Sequence, residues 1–472
     1  MPVLVTSIVI NYWLSSRLSS KKSEKILKLY LVVGITGNLL LLGYFKYVNF
    51  FINNSNILLS KIGIAPLHML NVALPIGISF FTFTQIAFLL DSYRGKVQDR
   101  NFVHYVLFVT FFPHLIAGPI IHHKQMMSQF ANPDTYKINL DKVVLGITIF
   151  SLGLAKKLLL ADPFGEYADV LFNATQSNVA PQLFLSWFGS LSYSFQLYFD
   201  FSGYSDMAVG LSLFFGILLP INFNAPFRAA NIINFWQRWH ISLTNYIGEY
   251  LYTPMTLKFT RLGLGKSSFI EVACSLVIPT LLIFLIIGFW HGANWTYLFF
   301  GGMHGVLMVI NHLWRKRTFW IKNKKSAPSV LLTTLSWSIT FLSVNATFVM
   351  FRAHGVTNAI QIYKGMLGFN GISIPPAIAA VLSIPALHAD GIWQGLILNS
   401  AQSVANQIWI LMAAFAVILL LPSTATLTPI SKKSINNSNL LRKPLAPVLL
   451  GAIFVLSVLW LGKTSVFLYF QF

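Results

Sequence analysis

Two histidines lie next to apolar segments of membrane-spanning length, where an ionisable side chain is costly to bury. His291 follows an uncharged apolar run, in Gly288-Phe-Trp-His-Gly-Ala-Asn-Trp295, and His304 comes thirteen residues later. Ionisable groups at membrane depth are functional candidates by default. A desolvated imidazole tends to be neutral, which a general base requires. His291 is therefore a candidate general base, although a purely structural role in joining two helices remains equally open for it and is favoured for His304.

A third histidine lies in a segment that is too polar to span a membrane. Between Ala225 and Thr253, one helical face carries His240 among Trp, Tyr and aliphatic residues, and the other face is polar. Asn231 or Asn234 would cap this amphipathic helix, and Pro254 would end it. Spacing alone favours an interfacial anchor. A titratable His240 on the apolar side argues for a functional role instead.

Other polar residues of the apolar segments are assigned to structure. Asp200 and Asp206 flank Gly203, where one span would end and the next begin, and they would accept hydrogen bonds within that turn. Asp91 belongs to a helix end that stops at Gly95. The segment around Pro113 should interrupt a span and line a cavity.

Several chemistries lack their sequence signatures. The chain has no HExxH pair, no GxSxG elbow and no complete Walker A motif. Among its 11 histidines, no intramembrane pair combines tight ligand spacing with a nearby carboxylate, so no metal site is expected.

The composition shows what must hold these residues in place. Of the 472 residues, 55% are hydrophobic and only 10% are charged, which excludes a soluble protein. Long apolar runs favour an all-α polytopic membrane protein over a barrel of short alternating strands. The net charge of +20 comes from residues between the apolar runs, so anionic membrane lipids, rather than nucleic acid, are the expected partners.

Apolar runs predict roughly eleven transmembrane helices, with re-entrant or interfacial helices, in one membrane domain over residues 1–472. Basic clusters predict which loops face the cytoplasm. Lys124, Lys137 and Lys142 are the exception, because they would lie outside unless their segment folds back or one span is miscounted. Thirteen runs are candidate spans, and roughly eleven are expected because several are too short or too proline-rich to trust: 3–16, 29–51, 70–90, 102–121, 142–160, 182–200, 204–220, 268–290, 293–314, 328–351, 376–399, 406–421 and 446–462.

The motifs resemble those of membrane-bound O-acyltransferases, specifically the alginate O-acetyltransferase branch. The resemblance covers nearly the whole chain. It is carried by residues 74–80, 112–119, 198–208, 234–243, 288–296 and 467–472, including Asn-Phe-Trp-Gln-Arg-Trp-His-Ile-Ser-Leu and Gly-Phe-Trp-His-Gly-Ala-Asn-Trp-Thr.

This resemblance implies a tunnel through a many-helix membrane domain, in the bacterial cytoplasmic membrane. It implies His291 as catalytic and His240 as its partner, and it makes Trp239, Arg238 and Asn294 candidates for substrate binding. His304 is a weaker candidate for the same role. No bound cofactor is expected. The implied donor is acetyl-CoA, and a polysaccharide acceptor and an extracytoplasmic acetyltransferase partner protein are expected.

The chain departs from the family pattern in two places. It begins inside the usual pattern, so we expect an N-terminus shorter than is typical. The residues after His240 also differ, with Gly248-Glu-Tyr250 and then Thr253-Pro-Met-Thr-Leu-Lys258, so we expect donor or acceptor contacts there that differ from those of the alginate enzymes. Three alternatives remain: transfer of alanine to teichoic acid by the same fold, a polysaccharide flippase or exporter, and a structural synthase subunit.

Overall fold

The computed structural model describes residues 2–20, 22–116, 118–321, 329–372, 401–427, 445–462 and 467–468. The described residues are mostly helical and contain no strand. The α-helices are α1 (Pro2–Leu18), α2 (Glu24–Leu42), α3 (Val48–Lys61), α4 (Ile78–Tyr93), α5 (Phe102–Thr110), α6 (Phe112–Leu115), α7 (His123–Phe130), α8 (Leu140–Ala155), α9 (Asp162–Gln176), α10 (Leu183–Phe214), α11 (Ile232–Trp236), α12 (Ile241–Ile247), α13 (Thr253–Gly263), α14 (Ser268–Val272), α15 (Ile278–His291), α16 (Trp295–Ile321), α17 (Val330–Arg352), α18 (Val356–Met366), α19 (Ala401–Leu420), α20 (Thr424–Leu427) and α21 (Leu445–Leu459).

Five helical stretches of the described chain are long and apolar enough to cross a membrane, which confirms a multi-pass protein. Three of them are continuous because π-helical turns join α2 to α3, α8 to α9 and α14 to α15. Each of the five contains or overlaps a predicted span. The stretches are Glu24–Lys61, Leu140–Gln176, Ser268–His291, Val330–Arg352 and Ile408–Thr426. The predicted span 376–399 lies outside the described residues.

Helix α10 is one continuous helix of 32 residues, so the prediction of two spans meeting at Gly203 is wrong. Gly203 lies in the middle of this helix, at the point where α8 crosses it. The two helix backbones are so close there that a Cβ on Gly203 would overlap the carbonyl oxygen of Gly153. Gly146 and Gly210 meet in the same way. Small residues at such crossings let helix backbones approach closely.

The carboxylates of α10 accept hydrogen bonds from lysines rather than from turn amides. Asp206 pairs with Lys156 at 2.6 Å, and Asp200 pairs with Lys157 at 2.6 Å. Both lysines belong to the π-helical turn after α8 and are mostly buried. The two lysines therefore bind carboxylates inside the protein, and the structural role predicted for the two aspartates agrees with these contacts.

The predicted span 102–121 is also wrong, because the chain folds back there. Helix α5 has only 9 residues and ends before Pro113, and the chain returns to α7 beside it. As a result, Lys124 lines the same cavity as Lys96. The fold-back alternative is therefore the one that the structure shows, and it places Lys124 beside Lys96. We call the side of the protein that carries these two lysines the basic face.

The segment around His240 forms several short helices instead of one amphipathic helix. The residues predicted on its apolar face are still mostly buried, and those on its polar face are more exposed. Asn231 caps α11, as expected, by accepting a hydrogen bond from the Asn234 amide. His240 then takes a left-handed backbone conformation with φ of 45°, which separates α11 from α12. Pro254 does not end the helix, because it occupies the first turn of α13, which continues α12 through a π-helical turn.

Candidate functional site

His291 is the last residue of α15, and two neighbouring side chains hold this helix end. The Lys46 ammonium donates to the carbonyl oxygens of Trp290 at 2.6 Å and His291 at 3.2 Å. Tyr47 donates to the carbonyl of Phe289 at 3.0 Å. A helix C-terminus leaves carbonyls without intrahelical partners, and a cation there also complements the helix dipole. Lys46 and Tyr47 therefore fix the position from which His291 projects.

Glycines around His291 let α15 and α16 pack closely enough to shape the site. A Cβ on Gly288 would overlap the Tyr297 carbonyl, and one on Gly301 would overlap the Phe284 carbonyl. A Cβ on Gly292 would overlap the ring of Tyr297. The glycines near His291 and His304 thus set how closely α15 and α16 approach each other.

The His291 ring is half-buried and borders a cavity of about 170 Å³. Lys46, Trp290, Ile116 and residues 74–80 also line this cavity. Residues 74–77 precede α4, whose other end lies at the basic face. Since α4 has 16 residues, this cavity lies about 24 Å from the basic face along the helix.

His240 is fully buried, and its hydrogen bonds determine which ring nitrogen carries the proton. Its Nδ1 lies 3.0 Å from Asn222 Oδ1, which also accepts the backbone N–H and the hydroxyl of Ser242. A backbone N–H can only donate, so this Asn222 atom is the oxygen, and His240 Nδ1 must donate to it. His240 Nε2 is then an unprotonated acceptor, and it has no hydrogen-bond partner among the described residues.

The structure brings the two predicted catalytic histidines into one neighbourhood. The His291 ring lies close enough to His240, Lys46 and His304 to be affected by their charges. The four groups come from α15, the α11–α12 junction, the turn after α2 and α16. Their sequence separation explains why spacing alone could not place them together.

Stacked aromatic rings connect this neighbourhood with a second cavity. Phe83 stacks on Trp290 at 5.1 Å and on Tyr246 at 4.9 Å, and Tyr246 lies 4.9 Å from Tyr250. Trp290 lines the His291 cavity, whereas Tyr246 and Tyr250 line a cavity of about 590 Å³ at the basic face. We call these four rings the aromatic column.

His304 uses both ring nitrogens to join three helices. Trp236 Nε1 donates to its Nδ1 at 3.3 Å, and its Nε2 lies 2.9 Å from the Thr347 hydroxyl. The indole can only donate, so Nε2 carries the proton and donates to Thr347. Its role in substrate binding stays a prediction, and these contacts favour the structural alternative.

The three remaining predicted binding residues have different surroundings. Trp239 is buried and stacks on Phe235 at 5.5 Å. Arg238 donates to the Asn234 side chain at 2.9 Å. Asn294 accepts the Thr296 amide at the start of α16. Their contacts to substrate stay predictions.

A separate cluster lies where the basic-face cavity meets the end of α4. Asp91, His122 and His123 offer ligand atoms within 4.8 Å of one another. Burial and the nearby His122 lower the pKa of His123 to about 4, so its imidazole is neutral at neutral pH. The sequence predicts Asp91 only as part of a helix end, and it predicts no metal site. The fold-back after α5 is what brings the histidine pair to Asp91.

Two site residues were missed from the sequence. Lys46 carried a usable signal, because a single charge inside a long apolar run is a functional candidate. Asn222 lies in a loop of ordinary composition and gave no comparable signal.

The chain is similar to characterised families along most of its length. Residues 44–350 match the MBOAT, membrane-bound O-acyltransferase family. A peptidoglycan O-acetyltransferase of Helicobacter pylori is 41% identical over 399 residues, 79% of this chain and 71% of the relative. A probable alginate O-acetylase AlgI of Pseudomonas aeruginosa is 36% identical over 412 residues, 87% of this chain and 70% of the relative. A teichoic acid D-alanyltransferase of Bacillus subtilis is 32% identical over 278 residues, 58% of this chain and 68% of the relative.

Proposed function

The chain belongs to the membrane-bound O-acyltransferase family, and we propose that it moves an acetyl group from cytoplasmic acetyl-CoA to the other side of the membrane. The final product is an O-acetylated cell-envelope or secreted polysaccharide. The observation that carries the proposal is the proximity of His291, which borders the cavity at the start of α4, to the buried His240.

The basic-face cavity is suited to the donor. Lys96 and Lys124 line it, and their positive charges would favour the phosphates of acetyl-CoA. The nucleotide is too polar to enter hydrocarbon, so only the pantetheine arm would follow the aromatic column towards His291. This orientation makes the basic face cytoplasmic, in the bacterial inner membrane. The full architecture would comprise roughly eleven spans around a central tunnel.

His291 would act as the general base. As the acceptor hydroxyl oxygen bonds to the thioester carbonyl carbon, a ring nitrogen of His291 takes the hydroxyl proton. The carbon–sulfur bond then breaks, and the leaving thiolate of coenzyme A receives that proton. Lys46 holds the end of α15 during this reaction, so it is a positioning residue.

His240 would position the donor rather than stabilise developing negative charge. Stabilising an oxyanion needs a hydrogen-bond donor, whereas His240 Nε2 is an acceptor in the tautomer fixed by Asn222. An amide N–H of the pantetheine arm would satisfy this otherwise unpartnered nitrogen.

The names of the relatives support the acceptor class. Peptidoglycan and alginate are both polysaccharides, and both appear in the names of relatives that are at least 36% identical. We propose that the acceptor hydroxyl of this reaction belongs to a separate extracytoplasmic acetyltransferase, which then transfers the acetyl group to the polymer and regains its hydroxyl.

Transfer of D-alanine to teichoic acid is the second candidate, because relatives with that name match 58% of the chain. The test is to incubate the purified chain in nanodiscs with acetyl-CoA carrying a labelled acetyl group. In parallel, ester-linked acetate on peptidoglycan and secreted polymers is measured with and without the gene. Loss of polymer acetate and turnover of acetyl-CoA support the proposal, whereas ester-linked alanine lost in its place would favour the second candidate. Unchanged esters on every polymer would contradict both and favour an exporter.

A further inference from the structure

Trp290 carries a buried hydrogen-bond donor beside the proposed general base. Its side chain is 5% exposed, and its Nε1–H has no hydrogen-bond partner among the described residues. An indole N–H can only donate, and a buried donor is normally paired. Other tryptophans follow this rule by donating from Nε1 at 2.8 to 3.3 Å, namely Trp187, Trp236, Trp295 and Trp337. The N–H of Trp290 is therefore free to bind a ligand.

The surroundings of Trp290 hold this donor in a fixed position. The backbone carbonyl of Trp290 accepts a hydrogen bond from Lys46 at 2.6 Å. Its ring stacks on Phe83 at 5.1 Å, and the edge of the Phe80 ring packs against it at 6.1 Å. A donor that is fixed before the reaction needs no reorganisation when negative charge develops near it. The position of this N–H therefore suits a group that stabilises a transition state.

The donor lies next to the residue that would remove the acceptor proton. The ring centroids of Trp290 and His291 are 5.0 Å apart, with an angle of 64° between the ring planes. Both residues line the cavity of about 170 Å³. Because hydrogen bonds to nitrogen are about 2.7–3.2 Å long, one small reacting group can contact both rings.

The proposed reaction needs a hydrogen-bond donor that the two histidines do not supply. As the acceptor hydroxyl oxygen bonds to the thioester carbon, the carbonyl π electrons move to the carbonyl oxygen, which becomes negatively charged. That charge is lost when the carbonyl double bond re-forms and the carbon–sulfur bond breaks. His291 takes up the hydroxyl proton, and His240 Nε2 is an acceptor. Lys46 already donates to the carbonyls of Trp290 and His291.

We propose that the Trp290 Nε1–H binds the carbonyl oxygen of the thioester and stabilises the negative charge that develops on it, which makes Trp290 a catalytic residue. This inference rests on the proposed acetyl transfer. The indole keeps its proton throughout, so it adds no bond change to the reaction. Trp290 and His240 would then bind complementary groups of the donor, the thioester carbonyl and an amide N–H of the pantetheine arm.

The test removes this N–H without changing the shape of the ring. Benzothienylalanine has a sulfur atom in place of the indole N–H, and it is incorporated at position 290 of the full chain by codon suppression. The kcat for labelled acetyl-CoA in nanodiscs should fall about 10²- to 10³-fold, because the hydrogen bond is strongest in the transition state. The KM should change less than about threefold. The melting temperature should not fall, because this N–H has no partner in the unliganded protein.

Trp187→benzothienylalanine is the matched control. Its Nε1 donates to the Met366 carbonyl at 2.9 Å, and Trp187 does not line the His291 cavity. This variant should have a lower melting temperature and an unchanged kcat, which is the opposite of the result expected at position 290.

Two results would overturn the role of Trp290 while leaving the proposed function intact. The first is a wild-type kcat in Trp290→benzothienylalanine. The second is the expected loss of kcat in Ser79→Ala in its place, which would assign the carbonyl oxygen to the serine hydroxyl of the same cavity. No turnover of acetyl-CoA by the unmodified chain would instead overturn the proposed function, and this inference with it.

Discussion

Replacing Asn222 tests whether the hydrogen bond to His240 controls the reaction. Asn222→Leu removes the acceptor of the His240 Nδ1–H and of the Ser242 hydroxyl without greatly changing side-chain volume. The tautomer with a free Nε2 would then leave a buried N–H unsatisfied, which costs about 1–3 kcal/mol. The other tautomer also buries an N–H without a partner, because His240 Nε2 has none. At about 1.4 kcal/mol per tenfold, the ratio of the two tautomers would therefore fall about 5- to 150-fold, to near one. Acetyl transfer should fall about twofold from the tautomer change alone, and further where the ring is no longer held in place.

The assay is single-turnover release of labelled acetate from acetyl-CoA in nanodiscs, at matched protein content. Ser205→Ala is the control, because it removes only the bond from the Asn222 amide to Ser205 and leaves the His240 contact intact. In a double-mutant cycle, Asn222→Leu should add little to His240→Ala, since both act through one ring. Fully additive losses, or wild-type turnover in a well-folded Asn222→Leu variant, would refute this reasoning.

Three further predictions concern the catalytic base, its support and the topology. His291→Gln should lower acetyl transfer about 10²- to 10⁴-fold with an unchanged melting temperature, because glutamine cannot accept the proton; retained turnover would reduce the histidine to a packing role. His304→Ala, as its comparison, should lower the melting temperature together with activity. Lys46→Met should lower the rate up to about 100-fold, because a charge-assisted bond to the end of α15 is lost, and an unchanged rate would contradict the positioning role. In a chain without its native cysteine, an impermeant thiol reagent should label Lys61→Cys but not Lys124→Cys from outside, and the reverse pattern would invert the topology.

Apolar run length predicted the helical membrane fold well, because a helix exposed to lipid must be apolar along its length. The prediction of individual spans from run length was wrong where other parts of the protein, rather than lipid, surround a segment. Helix α10 is shielded by neighbouring helices, so its serines and aspartates resembled a turn, and the apolar run 102–121 resembled a span although it folds back.

The sequence predicted the two histidines of the site but not the residues that hold them in place. His291 and His240 stood out because ionisable side chains are costly at membrane depth. Asn222 and the Asp91 cluster depend on contacts between distant segments, and one sequence does not contain those distances.

The glycine crossing between α8 and α10 also bears on how the protein is made. Helix α10 is long enough to cross the membrane but is not among the five strongly apolar stretches, so lipid alone would accept it poorly during synthesis. Its surface is matched instead by α8, through Gly146 and Gly153, and by the lysines that follow α8. Those partners precede α10 in the chain and emerge from the ribosome first. Stable insertion of α10 should therefore require that α8 and α9 are already in the membrane, and a bulky residue at Gly153 would act as a defect of biogenesis before it acts on catalysis.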